Sequence, residues 1–507
     1  QPGTDIPVPP ETDPPIPPET DPPVPPETDP PVPPETDPPI PPETDPPVPP
    51  ETDPPIPPET EPPVPPETEP PAPPAADLAW YQARIGEIQA GMQAISETKT
   101  HPCIYVTTVD GQDVVSGDEY VTAVIDVFNC PEAFRLTAPA GIRVRGNSTV
   151  TEDEKPYRIK FDERQGMPGL HDGKRYQSWV LLRTFWNLAP DFMGLRLAKT
   201  IFEGKYYSSD CMFVNLYLNG VSKGIYLLCE QTQADEGRVG IYEPKKDEGQ
   251  VEIGYLLEMD NYAYEEDVFF SIPAMPETMD IAGTARVIPA EDYSIKSDTR
   301  SPEQAAFISR YMNGVFRILY EAAVHNRPMT LDANLNPVDA PGYGSGFEAV
   351  NAVMDLDSLA NMVILEELVQ DYDVGGGSFY MAVDFSPNSI YRRLTFLAPW
   401  DFNWAYNEDP EAGYYACTFQ KTVLGERSNG WYILAVKMEG FRQLVQEKWR
   451  RLYESGVLQE TVNRVAADCR TLEADLGADS WKITGAESIA DYVRKRISFL
   501  AAQWLGL

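Results

Sequence analysis

Apolar and polar positions alternate with a period of two from Cys103 to Phe161. The runs CIYVTTV, EYVTAVIDVF, GIRVRG and YRIKF are β-branched and aromatic and are divided by Gly, Asn and Asp, which predicts a sheet-rich first part of the body. WVLLRTF predicts a further strand and DFMGLRLAKTIFE a helix. MFVNLYLNG and KGIYLLCEQ predict a strand pair turning at Asn219-Gly220. Ahead of this region, Asp77 stands as an N-cap, and Leu78, Ile85, Ile88 and Met92 follow at helical spacing, so residues 77–99 are expected to form a short leading helix. After about Ser301 the period lengthens to that of a helix in PEQAAFISRYMNGVFRILYEAAV, LDSLANMVILEELVQDY, SNGWYILAVKMEGFRQLVQEKWRRLYES, LQETVNRVAADCRTLEADL and ISFLAAQWL. The expected fold class is α+β, with a sheet-rich lobe over about 100–300, a mainly helical lobe over about 301–507 and a cleft between them.

Residues 1–76 carry no such periodicity. The octad DPPIPPET at Asp13–Thr20 recurs with small changes, and half of each octad is proline. Preset φ angles and few backbone donors favour extended polyproline II at about 3.1 Å per residue, a linker on the order of 200 Å long. The net charge of the 507-residue chain is −39; 17 acidic residues and no Lys or Arg lie in the linker, which leaves the body near −22. That balance excludes the basic stripe needed to bind nucleic acid. No apolar run reaches the roughly 18 residues of a membrane span. The chain opens on Gln1-Pro2-Gly3, as expected of a mature or trimmed secreted product. Six cysteines show no CxxC spacing and three histidines are scattered, which speaks against zinc. Cys103 with Cys130 is the favoured disulfide, with buried free thiols as the alternative.

The densest chemistry lies between residues 365 and 407. A helix ends in a loop with Asp373 and Gly375-Gly376-Gly377, the strand FYMAV follows, the chain reverses near Pro387, and LTFLAPW delivers Asp401. Protein kinases use this order: one Asp accepts the proton of the acceptor hydroxyl, a polar residue five positions later helps hold metal, and a second Asp after a hairpin binds Mg²⁺. Here those positions are Asp373, Ser378 and Asp401. Phosphoryl transfer depends on positioning and charge neutralisation, so one carboxylate must face the nucleophile and another the metal. GMPGLHDGKR, residues 166–175, lacks Walker A spacing and is read as a loop.

Five ordered blocks resemble the spore-coat protein H (CotH) kinase-like family: GIRVRGNSTVTEDEKPYRIKFD (141–162), LYLNGVSKGIYLLCEQ (216–231), GYLLEMD (254–260), YSIKSDTRSPEQ (293–304) and APWDFNWAYN (398–407). The resemblance implies an atypical protein-kinase-like two-lobed fold and ATP with Mg²⁺ or Mn²⁺. It further implies phosphate transfer to Ser or Thr of a secreted, cell-surface or coat protein by a monomeric enzyme outside the cytoplasm. It makes Asp373 the catalytic acid and Asp401 the metal ligand, with Ser378 beside it. It also sets Arg145, Asn147, Ser148 and Lys160 near nucleotide phosphates. Arg158 and Lys160 share one strand face and supply a cationic clamp. Glu230 falls where a kinase hinge meets adenine. Departures from the family pattern are Ser378 in place of Asn, Asn403 in place of Asp, no acid around Trp186-Asn187-Leu188, and Met193-Gly194 in place of Arg-Asn. They leave open an inactive kinase-fold scaffold, and a carbohydrate-directed adhesive protein is the third reading.

Overall fold

The computed structural model describes residues 78–146, 154–183, 187–244, 249–281, 284–298, 301–415, 419–422, 425–477, 483 and 485–507. The linker and Asn147, Ser148, Trp186 and Cys417 lie outside them. The leading helix breaks at Ala83-Arg84 into α1 (Ala79–Gln82) and α2 (Ile85–Ser96).

Seven strands follow: β1 (Cys103–Thr108), β2 (Val121–Phe128), β3 (Leu136–Val144), β4 (Tyr157–Gln165), β5 (Tyr176–Leu182), β6 (Cys211–Leu218) and β7 (Val221–Glu230). They close into a barrel of order β1-β2-β3-β4-β5-β7-β6. Antiparallel pairs make most of the wall, and β1 completes it by pairing parallel with β6, Cys103 opposite Asn215. The alternation legible in the sequence is the alternation across this wall. Ile104, Val106, Ile125, Ile142, Ile159, Phe161 and Trp179 fill the interior. On the outer face, Cys103, Tyr105, Val124 and Tyr217 pack under Tyr81 and Ile88 of α1 and α2, so every residue of β1 is buried.

The barrel also explains a correction. Cys103 and Cys130 are free thiols, as are Cys211, Cys229 and Cys469. Cys103 belongs to the layer outside the wall, whereas Cys130 packs against the interior cluster.

Between β5 and β6 runs α3 (Ala189–Phe202), entered through Pro190 in its first turn. After the barrel come β8 (Gly254–Met259), β9 (Phe269–Ile272), a ribbon of β10 (Met279–Ile281) and β11 (Thr284–Arg286), and β12 (Glu291–Ile295). Helix α4 (Pro302–His325) starts at a capping box of Ser301 with Gln304. The ribbon β13 (Met329–Leu331) with β14 (Pro337–Asp339) follows, then α5 (Gly346–Val353) and α6 (Leu356–Val369), the last capped by Asp355. The strands β15 (Phe379–Asp384) and β16 (Thr395–Phe396) complete a second sheet of order β16-β15-β8-β12-β9, which joins strands from either side of residue 300. A third ribbon, β17 (Phe419–Thr422) with β18 (Gly425–Ser428), precedes the last helices.

The single helix expected over 428–455 is two, α7 (Gly430–Lys437) and α8 (Glu439–Ser455), because Met438 is extended at φ −77° and ψ 123°. The chain ends in α9 (Val457–Thr471), α10 (Glu473–Leu476) and α11 (Ala486–Leu505). In α10, buried Asp475 accepts the Thr100 amide at 2.8 Å, the His101 amide at 2.7 Å and the Asn215 side chain at 3.2 Å, which ties the start of β1 and the middle of β6 to the far end of the chain. Among the described residues no helix is long and apolar enough to cross a membrane.

Candidate active site

The site is built from the segment just past β3, the start of α3 and the turns that precede β15 and follow β16. Buried α6 ends at Gln370 in the left-handed region, φ 50°, which turns the chain out of the helix. Asp371 follows, buried, and accepts the Asp373 amide at 3.3 Å. Asp373 opens a tight turn whose carbonyl accepts the amides of Gly376 and Gly377, each at 2.9 Å. Ser378, also left-handed at φ 53°, then starts β15. From β15 the chain returns through β16. The Ala398 amide donates to the Tyr207 carbonyl at 2.8 Å, and Asp401 is set down in the left-handed region at φ 67°.

These turns bring two residues 23 positions apart together: Ser378 Oγ donates to Asp401 Oδ2 at 3.5 Å, the long limit of a hydrogen bond. Burial raises the Asp401 carboxyl, and the Arg145 guanidinium and the Ser378 hydroxyl oppose that rise. Arg145, just past β3, holds its guanidinium 5.9 Å over the Trp400 ring. Its charge works against the rise of Asp401 and of Asp191 alike. Asp371 is pushed well up by burial and by the negative charges of Glu366, Asp373 and Asp401.

Lys160 lies elsewhere: it is exposed on the outer face of β4, opposite Gly141 and Ser178. Its strand neighbour Arg158 is half-buried, reaches Ser178 Oγ at 3.4 Å and leaves its buried Nε without a partner. Glu230 is fully buried in an ion network, taking His171 Nδ1 at 2.7 Å, the Asp210 amide at 3.0 Å and Arg238 Nε at 3.3 Å. Its carboxylate is thus engaged by the fold. The next two residues differ: Gln231 Oε1 and Thr232 Oγ1 are buried and have no partner.

The sequence reading missed Asp191. It sought an acid at 186–188, whereas the acid stands a few residues on, in the first turn of α3. Asp191 is buried, 5% exposed, and its Oδ1 accepts the Phe402 amide at 2.9 Å. Burial first and the Asp401 charge second push its carboxyl up to about 7. Gly194, read as a departure from pattern, is required by packing: a Cβ there would stand 2.2 Å from the Phe402 ring. The signal lay in APDFMG, an acid after proline at a helix start with glycine one turn on. Lys296 was also missed; it pairs with Asp260 at 3.0 Å and Glu258 at 3.2 Å beside Tyr380.

Among the described residues no three His, Cys, Asp or Glu side chains converge as metal ligands. A metal here must draw on hydroxyl and amide oxygens and on its own ligands. Asn403 fits, since its Oδ1 is buried, lacks a hydrogen-bond partner and belongs to the segment that Asp401 opens. Asp401 and Ser378 are a pair of oxygen donors suited to a hard divalent cation, with the unpartnered Asn403 oxygen two residues along the chain from Asp401, and the unpartnered Gln231 and Thr232 oxygens suit a ligand with donors of its own. A cavity of about 600 Å³ lined by Glu236, Tyr242, Glu252, Asp384 and Asn388 includes neither Asp373 nor Asp401.

A closed barrel joined to a mixed sheet and a set of helices defines an α+β protein. The family model for CotH kinase protein matches residues 142–317 and 329–500. The chain belongs to the CotH kinase family. No curated protein matches it.

Proposed function

We propose that this protein is an extracytoplasmic kinase that moves the γ-phosphate of ATP to Ser or Thr of a secreted, surface or coat protein. The observation that carries the proposal is the convergence of Asp401 with Ser378, the latter in the segment that Asp373 opens, near Arg145. Asp373 takes the proton of the acceptor hydroxyl from an open glycine turn. Asp401, Ser378 and Asn403 hold the divalent cation. Arg145, with Asn147 and Ser148, meets the phosphates, and the segment after Glu230 meets the base. When bound, the metal nucleotide supplies the transferable phosphoryl group and neutralises charge developing on it. The chain's own work is to orient the two oxygens and keep Asp401 ionised, for which Arg145 is the cationic neighbour. The predominance of helix after Ser301 is the feature in favour of a two-lobed kinase arrangement.

Calorimetric titration of the full chain with ATP tests this. Binding that requires Mg²⁺ or Mn²⁺, followed by phosphate transfer to a Ser/Thr acceptor, is expected; absence of binding refutes it. The scaffold reading is favoured by one feature, the Ser378 hydroxyl where an amide ligand is expected, and it predicts metal-dependent binding without transfer.

A further inference from the structure

Helix α3 touches both ends of this site. At its start, Asp191 accepts the Phe402 amide at 2.9 Å. One turn on, Gly194 leaves the space the Phe402 ring fills: three ring atoms lie within 2.6 Å of where a Cβ would be. Phe402 itself is fully buried. Near its end, Arg196 pairs with Asp210 at 3.0 Å and Lys199 pairs with the same carboxylate. Asp210 in turn donates its amide to Glu230 Oε2 at 3.0 Å and accepts the His171 amide at 3.0 Å. One rigid helix thus anchors the segment carrying Asp401 and the strand end that leads into Gln231 and Thr232.

Asp401 needs such an anchor. A left-handed backbone at a non-glycine residue costs free energy and persists only when its surroundings over-determine it. The hydrogen bond to the next amide and the wedged ring of Phe402 are two restraints applied directly beyond that residue. Neither is local in sequence; both come from α3.

We propose that α3 is the positioning element of the site, with Asp191 and Gly194 holding the Asp401–Asn403 segment so that its oxygens are arranged before metal arrives. The proposal rests on Asp401 being a metal ligand. Asp191 is a positioning residue; it acts on Asp401 and Asn403 through the Phe402 amide.

The test uses the full chain and two readouts: amide hydrogen exchange at Phe402 without ligand, and the Mg²⁺ concentration giving half-maximal ATP binding. Asp191→Ala should speed Phe402 exchange and raise the Mg²⁺ requirement, each on the order of tenfold, as expected for loss of one hydrogen bond to a charged acceptor. Asp191→Asn retains an acceptor oxygen and should restore both readouts to within about threefold. If Asp191→Ala does not fold, Gly194→Ala, whose methyl displaces the Phe402 ring, should raise the Mg²⁺ requirement in the same direction. Unchanged Phe402 exchange in Asp191→Ala overturns the proposal. So does faster exchange spread evenly over the protein with no change in Mg²⁺ requirement. Should the parent bind no ATP with Mg²⁺, the kinase reading falls, and selective loss of Phe402 protection alone decides whether α3 clamps the segment.

Discussion

Asp401→Asn removes a negative charge from the pocket that also holds Asp191 and Asp371, and asparagine tolerates the left-handed backbone found there. The Asp191 carboxyl rises from 3.8 to about 7, with burial the largest cause and Asp401 the second. A shift of that size corresponds to about 4 kcal/mol. Taking the Asp401 charge as about one pKa unit of that rise, its removal is worth about 1.4 kcal/mol. Metal-free Asp401→Asn at pH 8 should therefore be more stable than the parent by about that amount, a rise of roughly 1–2 °C in Tm for a body of this size.

The sign with pH follows from Asp191, whose folded pKa lies above its unfolded one. Its contribution is fully present below about pH 4 and is lost as pH rises through about 7. The parent loses stability across that window, the variant loses less, and the two converge at pH 4. With MgATP at a hundredfold its Kd the parent gains about 2.7 kcal/mol, and the variant should gain nothing. Thermal unfolding in EDTA at pH 4 and pH 8, then with MgATP, reads all of these. A variant that is less stable than the parent in EDTA at pH 8, or that keeps the full ligand shift, refutes the reasoning.

Three further outcomes are expected. Asp373→Asn should keep ATP affinity within a few fold and slow phosphate transfer roughly 100-fold or more, measured by single-turnover kinetics; transfer at the parent rate would remove Asp373 from the chemical step. Arg496→Leu should lower stability in urea by about 3–5 kcal/mol, because buried Arg496 pairs with buried Glu367 at 2.7 Å and donates to the carbonyls of Ala412 at 3.0 Å and Gly413 at 2.8 Å. Arg496→Met with Glu367→Met should recover most of that loss, and a single variant costing under about 1 kcal/mol would show the ion pair to be dispensable. Alkylation in denaturant without reductant should label Cys103 and Cys130 as separate free thiols; a cross-linked peptide joining them would contradict the barrel register.

What the sequence made legible was local. Period-two runs located β1 to β7 because one face of each meets the barrel interior, and the helical period after Ser301 located α4, α6, α8 and α9. Closure of the barrel was not legible, since it depends on β1 meeting β6 more than a hundred residues later, a pairing that no local pattern encodes. The short strands β9 and β12 escaped because they lie among polar segments and gain their burial from β8 and α4. In the site, Asp373, Ser378 and Asp401 could be read from one continuous stretch with kinase-like spacing. For Asp191 only the local APDFMG pattern was available, because its partner is the backbone amide of a residue 211 positions away, and a backbone amide leaves no trace in residue type. Gly194, read as a departure from the family pattern, is the space that Phe402 fills. Glu230, a lone acid ending an apolar strand, looked like a ligand contact; the half-buried His171 and the buried Arg238 that pair with it come from loops on either side of the strand pair β6 and β7.

The hold of Asp475 on the start of β1 has a consequence for how the chain folds during synthesis. Barrel closure waits until β6 has emerged, and Thr100 and His101 wait far longer, for a residue about 375 positions downstream. Contacts of such separation are slow to form, because the intervening chain must be ordered first. The N-terminal half therefore leaves the ribosome with its latch open, and the last helices α10 and α11 act as a folding checkpoint. A chain truncated before Asp475 keeps all seven barrel strands yet lacks the group that fixes where the first one begins, so interrupted synthesis should yield protease-sensitive product even though the barrel sequence is complete.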